Sequence, residues 1–352
     1  MERRAPPQVV VTWATEPAHG GEPGPMSSFD PFDGQPFTSL MARAGGISRH
    51  QVRDWVSGGR LRVVLYGVYV GAAAPDSVDL RARAAALVLP EHAVVSDRCA
   101  AWLLGVDVLD PEEHDLAPVL EVVSAGGKGP SSRTGLLGGK RDLRADEVVT
   151  LPNGVRTTGP LRTACDVGCL RGRYRAIATI DAFRRSYGLT VTDFHAILPR
   201  YRGRRGVIQL RELIALSADR VDSPPESWVR LMIHDDGLPM PAAQVDLVVP
   251  GWGEARLENA YEHLRIAVEY DGEQFHSRVE DRERDDARRA ALDAAGWIVL
   301  VLRRGDLAAA QRTVWLRELD GALAARSPEP SYRRRYARGP SGTSYRWRAR
   351  SR

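Results

Sequence analysis

Two carboxylates interrupt an otherwise apolar strand pattern in residues 264–276, which read LRIAVEYDGEQFH. Successive side chains of a strand point to opposite faces, so Glu269 and Asp271, two residues apart, share one face. Burying such a pair requires a cation, a basic partner or a raised pKa. A divalent metal ion is the simplest of these three solutions.

A second strand pattern, residues 256–261, leads through Glu262 and His263 directly into the first. A two-residue loop would place Tyr261 opposite Leu264 and Glu258 opposite Ala267, so that Glu258 lies diagonally beside Glu269. The sequence therefore predicts that Glu258, Glu269 and Asp271 converge. A three-residue loop would break this register.

The elements around this hairpin follow a definite order. A helix is predicted over residues 226–235, a strand over 244–249, a charged helix from about 281 to 295 and a strand over 297–302, before a last helix. This order, the E-Y-D-G-x-x-x-H run and the D-x-x-R of Asp285 and Arg288 resemble the PD-(D/E)XK nuclease superfamily. The likeness over residues 223–326 is greatest to the group related to very-short-patch-repair endonucleases.

The resemblance implies catalytic roles for five residues. It puts Glu226 on the first helix, Glu258 on the second core strand, Glu269 and Asp271 on the (D/E)XK strand, and His276 at the family's histidine. Asp271 stands where many members have lysine, and Glu258 where aspartate is more common.

In that scheme Glu258, Glu269 and Asp271 would hold Mg2+ or Mn2+ for phosphodiester hydrolysis, since hard cations prefer oxygen ligands. His276 would assist proton transfer. The two lysines of the chain, Lys128 and Lys140, lie far from this region, so no catalytic lysine is expected.

Plainer interpretations stay open for the same residues. A Glu-x-Asp pair on a strand is commonly a solvent-facing or salt-bridged pair. Arg288 could clamp a DNA phosphate, or pair with Asp285 one helical turn earlier. A histidine that follows a strand, as His276 does, is commonly a turn or surface residue.

The N-terminal part predicts a second module. Ser48 and Gln51 form a capping box for a helix that turns Val52 inward, and a hairpin is expected around Tyr66 and Gly67. Helix, helix and hairpin, with the G-x-L-x-x-V-x-x-G-V-Y run of residues 59–69, resemble the winged-helix domain of the AbiE-type antitoxin family.

The resemblance implies binding to double-stranded DNA and a possible partner toxin. The second helix would enter the major groove, and the wing would touch the backbone. The residues expected at DNA are Arg49, His50 and Arg53 on the helix and Arg60 and Arg62 on the wing. A small module used for protein contacts is the alternative.

The expected fold class is α/β multidomain. The expected domains are a disordered extension (1–28), a winged helix (29–72), a mixed α/β middle domain (73–218), an αβββαβ restriction-endonuclease-like core (219–326) and a basic tail (327–352). Residues 331–352 hold eight arginines and no acid, which exceeds the net charge of +4. The tail suits nonspecific phosphate contact.

Composition excludes other classes. The chain has three cysteines, Cys99, Cys165 and Cys169, an odd number without CxxC spacing, so reduced thiols are expected. No apolar run is long enough for a membrane span, and a cytoplasmic location is expected.

Two functions follow from the sequence. The first is a DNA-binding protein with a Mg2+-dependent endonuclease domain. The second is a non-catalytic transcriptional regulator of the AbiE-antitoxin type, in which the nuclease fold is degenerate.

Overall fold

The computed structural model describes residues 29–108, 118–126, 136–170, 172–272 and 279–327. The predicted N-terminal extension, the basic tail from residue 328 onward and His276 lie outside the described residues. The chain forms two compact units, Met1–Val167 and Gly168–Arg352. Their division falls inside the segment expected as the middle domain, so the predicted boundary at residue 218 lies within the second unit.

The first unit begins with a strand, two helices and a hairpin. These elements are β1 (Phe37–Thr38), α1 (Ser39–Ala44), α2 (Arg49–Ser57), β2 (Leu61–Leu65) and β3 (Val68–Gly71), with strand order β1-β3-β2. The predicted capping box is present, since the backbone N–H of Gln51 donates to Ser48 Oγ and that of Ser48 donates to Gln51 Oε1. Gly67, at φ +80°, makes the predicted turn between β2 and β3.

A five-stranded sheet forms the rest of the first unit. The elements are α3 (Val78–Ala86), β4 (Ala93–Val95), α4 (Asp97–Leu103), β5 (Leu120–Ser124), β6 (Leu136–Lys140), β7 (Val148–Thr150), β8 (Arg156–Thr158) and α5 (Pro160–Leu170), with strand order β6-β5-β4-β8-β7. β5 and β6 run parallel, and β4 runs antiparallel to β5. Small side chains such as Ala82, Ala84 and Cys99 let α3 and α4 pack closely in the core.

Arg162 is fully buried in the first unit. Its Nε donates to Asp166 at 2.8 Å, and its Nη1 donates to Glu147 at 3.0 Å and to the carbonyl of Asp142 at 2.9 Å. Arg141 joins the network by donating to Asp166 at 2.9 Å. A buried charge is tolerated only when it is paired in this way, so these residues lock α5 to the segment before β7.

The second unit combines helices with a mixed four-stranded sheet. Its elements are α6 (Arg173–Tyr187), α7 (Val191–Ile197), α8 (Val207–Leu216), α9 (Pro224–Asp235), β9 (Ala242–Val249), β10 (Gly253–Tyr261), β11 (Ile266–Tyr270), α10 (Val279–Ala294), β12 (Ile298–Leu302) and α11 (Ala309–Arg326). The strand order is β12-β11-β10-β9, in which β11 and β12 are parallel and the other pairs antiparallel.

Two apolar clusters cover this sheet. One includes Val229 and Ile233 of α9 and Leu319 of α11, and the other includes Leu292 of α10 and Trp297. The order helix, three strands, helix, strand, helix is the one expected from the sequence. A mixed α/β chain is thus confirmed, whereas the identification of these units as a winged helix and a nuclease core stays a prediction.

The predicted two-residue loop between β10 and β11 is wrong. A four-residue connection, residues 262–265, contains a 3-10 turn at Glu262–Leu264 and Arg265 at φ +50°, and Tyr261 pairs with Ile266. The register is therefore shifted by two residues. Because side chains alternate with a period of two, this even shift brings Glu258 beside Glu269 instead of Ala267.

Candidate functional site

Glu269, on β11, is held by a bidentate ion pair with Arg288 of α10. Arg288 Nη1 donates to Glu269 Oε2 at 3.0 Å and Nη2 donates to Oε1 at 2.6 Å. The same Nη2 lies 2.9 Å from the carbonyl oxygen of Arg256. Both oxygens of this buried carboxylate thus have a basic partner, which is one of the three solutions that the sequence required.

Glu258, on β10, is accommodated by a raised pKa and a backbone hydrogen bond instead of an ion pair. Glu258 lies one residue beyond the last β10–β11 pair, Asn259 with Val268, and its Oε2 accepts the backbone N–H of Tyr270 at 2.7 Å. Burial is the largest cause that raises the pKa of Glu258, the charges of Glu226 and Glu269 also raise it, and this hydrogen bond lowers it by less, so that the pKa is about 8. Near neutral pH this carboxyl group therefore retains a proton in a substantial fraction of molecules.

Glu226 and Asp271 stand at the edges of this group. Glu226, in the first turn of α9, is buried and accepts a hydrogen bond at 2.6 Å from the side chain of Gln244. Asp271, just after β11, accepts from Arg289 of α10 at 3.4 Å. Glu269 and Asp271 both contact α10, as expected if they share one face. The carboxylates are thus gathered around β10 and β11, and two of them face arginines.

The arrangement does not form a ready site for an ion. In the part of the chain that the structure describes, Glu258, Glu269 and Asp271 are not among the acidic, histidine or cysteine residues that bring three ligand atoms within 4.8 Å of one another. An ion bound by Glu269 would have to displace Arg288 from both carboxylate oxygens. Mg2+ or Mn2+ binding at these three residues stays a prediction.

Glu212, His234 and Asp235 do bring three ligand atoms within 4.8 Å of one another. Arg173 already binds this cluster, donating to Glu212 at 2.7 and 3.1 Å and to Asp235 at 2.7 Å. Burial alone would raise the pKa of Asp235, but hydrogen bonds from His234 and Arg173 outweigh it, and the pKa lies below its ordinary value. We assign the cluster a structural role in joining α6, α8 and α9.

The predicted DNA-contacting residues of α2 lie on its exposed side. Arg49, His50 and Arg53 are exposed, and Nδ1 of His50 lies 2.8 Å from a carboxylate oxygen of Asp54. Val52 is 3% exposed and packs in the small core of this module. The helix thus turns its basic side chains toward solvent.

The two arginines of the hairpin differ from each other. Arg60 lies over the ring of Phe32, with 4.7 Å between the guanidinium carbon and the ring centroid, and over Trp55 at 5.5 Å. Arg62 donates to the carbonyl of Ala74 at 3.0 Å and lies 3.9 Å from a carboxylate oxygen of Asp76. Arg62 is therefore engaged within the protein.

Sequence reasoning missed Gln244 and Asn259. Gln244 has a φ of +52°, an uncommon backbone conformation for a buried strand residue, and it orients Glu226. Asn259 is 0% exposed, and within the described residues neither its side-chain oxygen nor its nitrogen has a hydrogen-bond partner. A polar residue inside an apolar strand pattern was the available signal for both.

Comparison with known proteins gives a family for part of the chain. Residues 92–216 match the AbiEi antitoxin C-terminal domain. The match falls on the expected middle domain, which accompanies the winged helix in the antitoxin-like family, and it confirms the antitoxin part of the resemblance. It gives no support to a fused very-short-patch-repair-type endonuclease.

Two relatives come from Mycobacterium tuberculosis. Uncharacterized protein MT2308 (strain CDC 1551 / Oshkosh) and Uncharacterized protein Rv2248 (strain ATCC 25618 / H37Rv) are each 32% identical to this chain over 283 residues, which is 80% of this chain and 96% of each relative. Within the described residues, no helix combines the length and the apolar character needed to cross a bilayer. Residues 92–216 are similar to the AbiEi antitoxin C-terminal domain, and the chain as a whole belongs to the family of these two mycobacterial proteins.

Proposed function

We propose that this protein is a DNA-binding regulator of the AbiE-antitoxin type, which acts on double-stranded DNA through its N-terminal module and has a partner toxin. The match of residues 92–216 to the AbiEi antitoxin C-terminal domain carries the proposal. The exposed basic side of α2, which precedes that domain in the chain, supports it.

The surface of α2 suits the major groove. Arg49 and Arg53 are four residues apart and share one side of the helix, and His50 lies beside them. In a winged helix the second helix enters the groove, where arginine is the side chain that most often forms hydrogen bonds with guanine. We assign base or phosphate contacts to these three residues.

The hairpin would contact the DNA backbone through Arg60. Its guanidinium is oriented by the rings of Phe32 and Trp55, which lowers the entropy lost when it binds a phosphate. Arg62, already bound to Ala74, would instead hold the hairpin to the segment that follows it.

A footprint on the DNA upstream of the protein's own gene tests this proposal. We expect protection by the wild-type protein that is lost in the Arg49→Ala/Arg53→Ala variant and retained in Arg317→Ala, which changes an exposed arginine of the second unit. If the double variant still protects the DNA, other residues recognise it, and the assignment of α2 is overturned.

A second candidate function is a metal-dependent endonuclease, and the carboxylates around Glu258 favour it. Burial is the main cause of the raised pKa of Glu258, and the negative charges of Glu226 and Glu269 add to it. A cation would relieve the repulsion among these three carboxylates. Glu258, Glu269 and Asp271 would hold the ion, which would supply Lewis-acid stabilisation of the phosphate charge. Arg288 would have to release Glu269 first.

Incubation of the purified protein with plasmid and Mg2+ or Mn2+ tests this candidate. A nuclease should nick the plasmid, and Glu269→Ala and Asp271→Ala should each abolish nicking. Intact plasmid with the wild-type protein, or nicking that survives in both variants, would exclude hydrolysis at this site.

A further inference from the structure

A cleft of about 470 Å³ lies in the first unit, beyond the carboxyl ends of two parallel strands. Ala125 and Gly126, which follow β5, and residues 143–145, which follow β6, form one part of its lining. Glu91 and His92, which precede β4, and Arg156 of β8 form another. Open α/β sheets place their ligand crevices at this edge, and the volume lies in the range of small-molecule sites.

Two arginines give the cleft its charge. Arg144 is exposed and Arg156 is half-buried, and among the described residues neither guanidinium forms an ion pair. Arg141 and Arg162 of the same unit, in contrast, are bound by carboxylates. The lining therefore holds two uncompensated positive charges, one imidazole from His92 and a single carboxylate from Glu91.

This set of side chains fits a small anion with two negative charges. The planar guanidinium offers paired donors that match phosphate and carboxylate oxygens. A phosphate monoester carries a charge of about −1.5 to −2 at neutral pH and three acceptor oxygens, which suits two arginines better than a single carboxylate does. The carboxylate of Glu91 can accept hydrogen bonds from hydroxyl groups on the rest of such a ligand.

We propose that this cleft binds a small phosphate monoester, with Arg144 and Arg156 contacting the phosphate and Glu91 contacting hydroxyls of the attached group. Apart from Glu91, which directly precedes it, the lining lies in the part of the chain that matches the antitoxin domain, and none of it belongs to α2. Binding here is independent of the proposed DNA contacts.

Titration calorimetry of the full chain with inorganic phosphate and with ribose 5-phosphate tests the proposal. Both should bind, whereas ribose, and sodium chloride at the same ionic strength, should not. At ten times its Kd, ribose 5-phosphate should raise the Tm of the first unit by about 3 °C. Arg144→Ala and Arg156→Ala should each weaken binding about tenfold, and the double variant should lose it.

The control is Arg43→Ala/Arg317→Ala, which removes the same charge at exposed positions outside the cleft and should bind like the wild type. Circular dichroism and Tm without ligand should be unchanged in each single variant, which separates loss of binding from loss of folding. No heat with either phosphate compound, or equal binding by the Arg144→Ala and Arg156→Ala variants and the wild type, would overturn the proposal. Displacement of ribose 5-phosphate by a short DNA duplex would assign the cleft to nucleic acid and overturn it as well.

Discussion

Glu269 and Arg288 face each other across 19 residues of sequence and form two hydrogen bonds, at 3.0 and 2.6 Å. The side chain of Glu269 is 11% exposed and that of Arg288 is 21% exposed. Most of the desolvation cost of both charges is therefore incurred on folding, and it is compensated only while both are present. This pair fixes α10 on the sheet.

Removal of Arg288 should therefore destabilise the second unit. We expect Arg288→Ala to lower the free energy of unfolding by about 2–3 kcal/mol, because Glu269 is left buried without its cation. The measurement is urea unfolding of the full chain at neutral pH. The matched control is Arg289→Ala on the same helix, whose contact with Asp271 is a single one at 3.4 Å, and it should cost less than about 1 kcal/mol. Equal losses in the two variants would contradict this role.

Glu258 should make stability fall as pH rises. Its pKa is raised from 4.5 to about 8, so between these values the folded state binds more protons than the unfolded state, and the unfolding free energy decreases with pH. This loss of folding stability is absent below about pH 4.5 and complete above about pH 8. At about 1.4 kcal/mol per pKa unit, the full loss of stability is on the order of 5 kcal/mol.

Glu258→Gln should remove this dependence, since glutamine can still accept the Tyr270 N–H. We expect the variant and wild type to be similar near about pH 5 and the variant to be more stable at about pH 8.5. Asp181, whose pKa burial raises to about 6, remains in both proteins, so the difference between the two curves isolates Glu258. Parallel curves over the whole range would show that the pKa of this carboxyl group is not shifted.

Gly206 and Gly203 offer a matched pair of backbone substitutions. Both have positive φ, +82° and +76°, but a Cβ on Gly206 would lie 1.9 Å from the carbonyl oxygen of Cys169, and one on Gly203 would meet nothing within 4 Å. Gly203→Ala should cost about 1–2 kcal/mol from the left-handed conformation alone. Gly206→Ala should cost at least about 3 kcal/mol, because the turn before α8 must also move away from Cys169.

Urea unfolding of the two glycine variants measures this difference directly. The conformational cost is common to both, so the excess in Gly206→Ala reports the contact with Cys169. Equal stability of the variants would mean that the 200–206 turn moves freely, as an exposed linker would.

The salt dependence of DNA binding should separate Arg49 and Arg53 from Arg62. If both helix arginines contact phosphates, Arg49→Ala/Arg53→Ala should reduce the slope of log K against log salt concentration by about 2. Arg62→Ala should leave the slope unchanged and lower the Tm of the first unit, because it loses the bond to Ala74. Binding titrations from about 50 mM to about 200 mM salt measure the slope. A reduced slope in Arg62→Ala would show that Arg62 contacts a DNA phosphate.

Local chemistry in the sequence was sufficient for many individual elements. The Ser48–Gln51 capping box, the hairpin β2–β3 and the helix α9 follow from caps, turn residues and apolar periodicity, which act within a few residues of one another. β4 and β6 were missed. They are short, and β6 contains Gly138 and Gly139, so pairing with β5, and for β4 also with β8, makes them strands.

The carboxylates around Glu269 depend on both local sequence and tertiary contacts. The sequence itself determined that Glu269 and Asp271 lie on one side of the chain, at and just after the end of a strand, and need compensation, because the strand period is a local property. Only the tertiary structure decided which compensation is used, since Arg288 comes from a helix across the sheet and the pKa of Glu258 depends on the burial and charge of distant neighbours. The register of β10 and β11 likewise follows from the 3-10 turn at Glu262–Leu264 and the left-handed conformation of Arg265, which the strand pattern of the sequence did not predict.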